Sequence, residues 1–87
     1  MEILQTSAFS KQTKKLHPNQ RKDLEQAIRA LIADPALGKA KKGDLKGICV
    51  YKFRMNNQLT LLAYQYNAKQ LILVALGSHE NFYRNLK

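Results

Sequence analysis

Two short stretches concentrate the side chains that can do chemistry. "YKFRM" places Lys52 and Arg54 two residues apart, and "GSHENFYRNLK" gathers His79, Glu80, Tyr83 and Arg84 into six positions. Alternate residues of a strand share a face, so Lys52 and Arg54 would project side by side, about 6–7 Å apart. Paired cations on an exposed sheet face can hold consecutive phosphates or steady the charge of a pentavalent phosphoryl transition state. They fit an ordinary solvated strand face equally well. A histidine such as His79 changes charge near neutrality, so it can give a proton to a leaving oxygen or take one from a nucleophile. Taken alone, a single histidine is more often a hydrogen-bonded structural residue, and both roles stay open. Glu80 falls in the first turn of the expected last helix, where an acid complements the helix dipole. Tyr83, one turn after His79, shares its face and can stack on a base, and Arg84 can reach a phosphate.

The rest of the inventory argues against other chemistries. Two histidines and one cysteine, without CxxC or HxxxH spacing, supply no metal site. Neither GxxxxGK[ST] nor GxGxxG occurs, so no cofactor is expected. Cys49 stands alone and cannot close an intrachain disulfide, and "MEILQTSAFSKQ" has no basic region followed by an apolar block. Nowhere do the roughly 20 consecutive apolar residues of a membrane span occur. The expectation is a protein of the reducing cytoplasm with no membrane partner. Fifteen Lys and Arg against 6 acids leave a net charge of +9 on 87 residues. That excess favours an anionic partner: nucleic acid, an acidic protein or a membrane surface, the last disfavoured because the one striped helix has the apolar face a core requires. Lys39, Lys41, Lys42, Lys46, Lys52 and Arg54 crowd around Asp44 alone, and a second group is Lys11, Lys14, Lys15, Arg21 and Lys22.

These residues need elements to position them. A chain of this size makes a single domain, residues 1–87. "EILQTSAF" reads as a short strand, with Ser10 capping a helical turn "KQTKKL". Pro18 suits the first turn of a second helix. There Leu24, Ala27, Ile28, Leu31 and Ile32 recur at i, i+3, i+4, i+7 and i+8, one apolar stripe that stops before Asp34-Pro35. His17, between the helices, reads as structural. "PALGKAKKGDLKG" is a glycine-punctuated loop. The period then becomes two: in "ICVYKFRM", Ile48, Val50, Lys52 and Arg54 point one way, and Cys49, Tyr51, Phe53 and Met55 the other. Asn56-Asn57 is a hairpin turn, since Asn tolerates positive φ. "QLTLLAYQY" and "QLILVALGS" are further strands. The last is apolar on both faces and therefore central in the sheet. Tyr64 and Tyr66 share a strand face, as core or as groove lining. "HENFYRNLK" is a last helix, anchored by Phe82 and Leu86. The expected fold is α+β: an N-terminal helical hairpin on one face of a small, mainly antiparallel β-sheet, a short C-terminal helix, and a partly open face bearing Lys52 and Arg54.

This arrangement resembles the RelE/ParE superfamily, the toxins of type II toxin–antitoxin modules. The likeness spans nearly the whole chain. It rests on the helical hairpin, on "LKG" before the basic strand "VYKFRM", then "LLAYQY", and on the closing Gly77, His79 and Tyr83 in the pattern Gly–x–His–x–x–x–Tyr. The resemblance implies a toxin that acts as a ribosome-dependent mRNA endonuclease and inhibits translation. In the RNase branch, the 2′-OH attacks the adjacent phosphate of a codon in the ribosomal A site, without a metal. Lys52 and Arg54 match the paired basic strand positions that stabilise phosphate charge. His79 matches the position of the general acid or base, and Tyr83 the aromatic that stacks on or orients a base. Lys39, Lys41, Lys42 and Lys46 would contact ribosomal RNA, and a cognate acidic antitoxin encoded alongside would be the protein partner. RNase members often carry Arg in the strand that here reads "QLTLLAY", where Leu61, or Thr60 with a slipped register, stands instead. The ParE branch, which acts on DNA gyrase without cutting RNA, is the alternative, as is a binding module that keeps the fold without toxicity.

Overall fold

The computed structural model of the chain describes residues 2–40 and 47–78. The last helix expected over "HENFYRNLK", with its anchors Phe82 and Leu86, lies outside the described residues. Strand β1 (Glu2–Gln5) leads into helix α1 (Ser7–Lys14) and helix α2 (Pro18–Ala33). A 3-10 turn (Pro35–Leu37) precedes the two-residue strand β2 (Lys39–Ala40), and then come β3 (Cys49–Met55), β4 (Gln58–Tyr66) and β5 (Gln70–Ser78). Among the described residues the sheet has five strands, in the order β1-β5-β4-β3-β2. Of these, only β1 runs parallel to its neighbour, β5. β4 is the middle strand; β5, expected at the centre from its two apolar faces, stands one place to the side, still paired along both edges, with β4 and β1.

The start of the chain departs from the expected pattern. The strand ends at Gln5, and Thr6 caps α1, its Oγ1 accepting from the Phe9 N–H at 3.1 Å. Ser10 therefore lies inside the helix and caps nothing. A threonine two or three residues before the first helical N–H groups satisfies one of them, which ends the strand earlier than the alternation suggests. α2 begins at Pro18 as expected, and Gln20 Oε1 accepts from the backbone N–H of His17 at 2.9 Å. Its stripe is narrower than its periodicity. Leu24, Ala27 and Leu31 are buried, Ile28 is half-buried, and Ile32 is 42% exposed. Ile32 sits one residue round the helix from Leu31, at the stripe's flank and close to the break at Asp34-Pro35.

The main core lies between the helices and one sheet face. Phe9 of α1 and Leu24 and Leu31 of α2 pack on Leu62, Tyr64, Leu71, Leu73, Leu76 and Met55. Tyr51, Phe53 and Cys49 flank this cluster, as the alternation in β3 predicts. The side chain of Asp23 on α2 accepts from the Asn56 N–H at 2.7 Å, tying the helix to the β3–β4 turn. Asn56 and Asn57 take φ of 53° and 66°, the left-handed pair that a two-residue hairpin needs.

Tyr64 has no exposed surface, and its hydroxyl fixes the segment before β2. It donates to Pro35 O at 2.5 Å and accepts from the Gly38 N–H at 2.9 Å. Gly38 permits this approach: a Cβ there would stand 2.7 Å from the Tyr64 ring and 2.9 Å from Val50 O. Tyr64 is thus core, whereas Tyr66, stacked on it at 6.1 Å between centroids, is 43% exposed.

Candidate nucleic-acid interface

The second sheet face carries the cations. Residues directly paired across strands project to the same side. Lys39 of β2 pairs with Val50, Val50 with Ala63, and Ala63 with Ala75, forming one row. The next row runs Lys52, Leu61, Gly77, and the one beyond it begins Arg54, Leu59. Lys39, Lys52 and Arg54 therefore share one face, and all of them are exposed. Lys39, expected in a loop, belongs instead to a strand, diagonal to Lys52 and about 7–8 Å from it between Cα atoms. An open cleft of about 280 Å³ runs between them, lined by Leu37, Lys39, Val50, Tyr51 and Lys52. Arg54 leans toward the hairpin turn, its Nη1 donating to Asn57 O at 3.5 Å.

Charge is unevenly divided on this face. β4 and β5 contain no Lys or Arg, so every described cation there stands on β2 or β3. The β4–β5 half is apolar. Val50, Leu61 and Ala63 form a small buried cluster, with Ile48, Val74 and Ala75 against it. The face is thus less open than its alternation suggests. Leu61 is the residue at the centre of the Lys52 row, and it has no exposed surface. Thr60 is buried as well, paired with Phe53 on the helix-facing side. No register slip brings Thr60 to the cationic face.

A β-bulge decides which residues of β5 join the cations. The pairing of β4 with β5 shifts between Ala63 and Tyr64, so that Val74 is the extra residue. Before it, odd-numbered Leu71 and Leu73 face the helices. After it, even-numbered Leu76 does. The bulge therefore turns Gly77 onto the cationic face, in the same row as Lys52 and two strands away, about 9–10 Å between Cα atoms. His79 comes two residues later in the chain. His79, Tyr83, Arg84, Lys41, Lys42 and Lys46 lie outside the described residues. Of the residues singled out from sequence, the structure brings together Lys39, Lys52 and Arg54.

Burial pushes the Tyr64 hydroxyl above its ordinary value, against the lowering effect of the bond from Gly38. Burial also raises the Cys49 thiol, with Tyr64 working in the opposite direction. Cys49 opens β3 beside the main core, a structural place for a small side chain. No group of three or more His, Cys, Asp and Glu residues spaced to hold a metal occurs among the described residues. No described helix is long and apolar enough to cross a membrane.

A sequence model of the ParE-like toxins of type II bacterial toxin–antitoxin systems matches residues 3–87. The chain belongs to that family. Solved structures share its fold. The toxin–antitoxin complex RelBE of E. coli aligns with a TM-score of 0.69 at 16% identity, covering 88% of this chain and 94% of that one. YafQ from E. coli strain BL21(DE3) gives 0.70 at 19% identity, covering 94% and 97%. A YoeB/ParE toxin from Agrobacterium tumefaciens gives 0.70 at 17% identity, covering 91% and 99%. No curated protein matches the chain in sequence. At these identities the structural likeness establishes the two-helix, five-stranded α+β fold. Sequence alone reached the superfamily, but missed the bulge, which no residue type announces, and the strand pairing of Lys39.

Proposed function

We propose that this toxin is a metal-independent endoribonuclease that cuts mRNA on the ribosome and so stops translation in the cytoplasm. One observation carries the reading: the row Lys52–Leu61–Gly77 joins the cationic half of the open face to the strand end from which the chain continues to His79. A strand of RNA laid along the exposed β2–β3 side of this face has its phosphates over Lys39, Lys52 and Arg54. Lys52 and Arg54 neutralise the scissile phosphate as charge builds on its oxygens. His79 moves the proton, taken from the attacking 2′-OH or given to the departing 5′-oxygen. The bond from the 2′-oxygen to phosphorus forms as the bond to the 5′-oxygen breaks, leaving a 2′,3′-cyclic phosphate and a 5′-hydroxyl. Tyr83 stacks on a neighbouring base. Lys41, Lys42, Lys46 and Arg84 extend the contact to ribosomal RNA.

The partner in the uninhibited cell is an acidic antitoxin. A groove of about 420 Å³ between α1, α2 and β1, lined by Ile3, Phe9, Leu24, Ile28 and Leu73 together with Lys14, Arg21 and Glu25, offers it an apolar seat beside a net positive charge.

A second reading is favoured by Leu61. Buried at the centre of the Lys52 row, it supplies no cation where RNase members often have Arg. A ParE-type inhibitor of DNA gyrase has no need of that cation. Ribosomes programmed with a defined message separate the two readings. Cleavage should occur with an all-ribose A-site codon and disappear when the nucleotide 5′ of the cut is 2′-deoxy. Intact messages from a protein that still arrests growth and causes DNA breaks would establish the gyrase reading.

A further inference from the structure

We propose that Gln12 is a positioning residue for the end of β5 that leads to His79, an inference that rests on the endonuclease reading. β1 covers the outer edge of β5 only as far as Leu73, where Gln5 is the last paired residue and the Thr6 N–H donates to Leu73 O at 3.0 Å. β5 continues to Ser78. Beyond Leu73 its backbone groups on that edge have no neighbouring strand among the described residues.

Helix α1 takes the place of the missing strand. Thr6 Oγ1 donates to Val74 O at 2.6 Å, holding the bulged residue. The Leu76 N–H donates to Gln12 Oε1 at 2.8 Å, and Gln12 Nε2 donates in return to Leu76 O. A carboxamide holds one acceptor and two donors in one plane, so it can pair with the N–H and the C=O of the same residue, as a strand neighbour does. Two bonds to one residue restrain both the height and the twist of the strand there, which a single bond does not. Leu76 is 5% exposed and Gln12 is half-buried, so water is a poor substitute for the amide. Packing alone does not ask for glutamine here, because an unbranched apolar side chain fills the same space. The cleft around it is lined by Leu16, Met55, Thr60 and Gly77, with Lys15 as the neighbouring charge. The clamp thus grips the residue next to Gly77 and three before His79.

The test uses Gln12→Met, which keeps length and loses both bonds, and Gln12→Glu, which keeps the acceptor and loses the donor. Cleavage of a defined message on programmed ribosomes gives kcat and KM, normalised to the folded fraction by circular dichroism. Amide hydrogen exchange reports Leu76 and Gly77 directly. Gln12→Met should lower kcat by about 10–100-fold, the size of an effect expected when a reacting group is displaced by about 1 Å. KM should stay within about twofold, exchange at Leu76 and Gly77 should accelerate, and Gln12→Glu, which sets a carboxylate oxygen against Leu76 O, should lower kcat as well. Unchanged kcat, or a raised KM with kcat intact, in either folded variant would overturn the proposal. Unchanged exchange would overturn the clamp whatever the activity. A wild-type protein that exchanges as expected but leaves the message whole would instead sink the endonuclease reading, and with it the need for positioning.

Discussion

Salt should distinguish the cationic sheet face from the rest of a basic surface. Lys39, Lys52 and Arg54 are exposed on one side of the sheet, and α2 lies on the other. Each phosphate of single-stranded RNA that a cation neutralises releases about 0.7 counterion, so three contacts give a slope of about −2.1 in log affinity against log salt. From about 50 to about 200 mM salt, binding then weakens about 20-fold from this face alone. Lysines elsewhere add a constant, which cancels when variants are compared. The double change Lys52→Ala, Arg54→Ala should therefore flatten the slope by about 1.4. Lys22→Ala, Arg29→Ala on α2 removes the same charge from the opposite layer, where both residues are exposed, and should leave the slope unchanged. Fluorescence anisotropy with a short labelled RNA, repeated across a salt series, measures both. Equal flattening by the two pairs would refute the reasoning, because it would mean that RNA contacts a general positive surface and that no face is singled out.

Tyr64 and its neighbours give further expected outcomes. Tyr64→Phe keeps the ring and strands Pro35 O and the Gly38 N–H, costing about 2–3 kcal/mol. At about 4–8 °C per kcal/mol for a domain of this size, Tm should drop by roughly 8–24 °C, and a drop below about 3 °C would count against the bonds. Gly38→Ala drives a methyl against the same ring and against Val50 O, and should cost about 1–3 kcal/mol in denaturant unfolding while loosening exchange protection in β2. High pH should also weaken the fold. Cys49 and Tyr64 have raised values in the folded protein, so their protonated forms are favoured there more than in the unfolded chain. The associated stability is complete below the ordinary values of 9.0 and 10.0 and is lost as pH rises through them toward the raised ones. Denaturant unfolding from about pH 8 to about pH 11 should show that fall, and Tyr64→Phe should flatten its upper part.

Strand alternation and turn chemistry made most of the sheet legible. β4 and β5 occupy the stretches "QLTLLAYQY" and "QLILVALGS", the Asn56-Asn57 turn has its positive φ values, and Pro18 opens α2. Local pattern failed where a tertiary contact decides. Thr6 ends β1 because its hydroxyl serves both the Phe9 N–H and Val74 O, a partner far along the chain. Ile32 fits the helical period and is still 42% exposed, because the stripe's flank extends past what the sheet covers. The site divides in the same way. Lys52 and Arg54 share a face by simple alternation, but Lys39 joins them only through the pairing of a two-residue strand. Gly77 reaches their row only through a bulge at Val74, inside a strand apolar on both faces, where a one-residue shift leaves the hydrophobic pattern nearly unchanged.

Primer-extension mapping of mRNA 5′ ends in a translating extract, with wild type and His79→Ala side by side, tests the central claim most directly. The expected result is cuts in frame with the codons, dependent on translation and absent in the folded variant. Messages left whole by wild-type toxin that still arrests growth, or cuts that persist undiminished in His79→Ala, would contradict it.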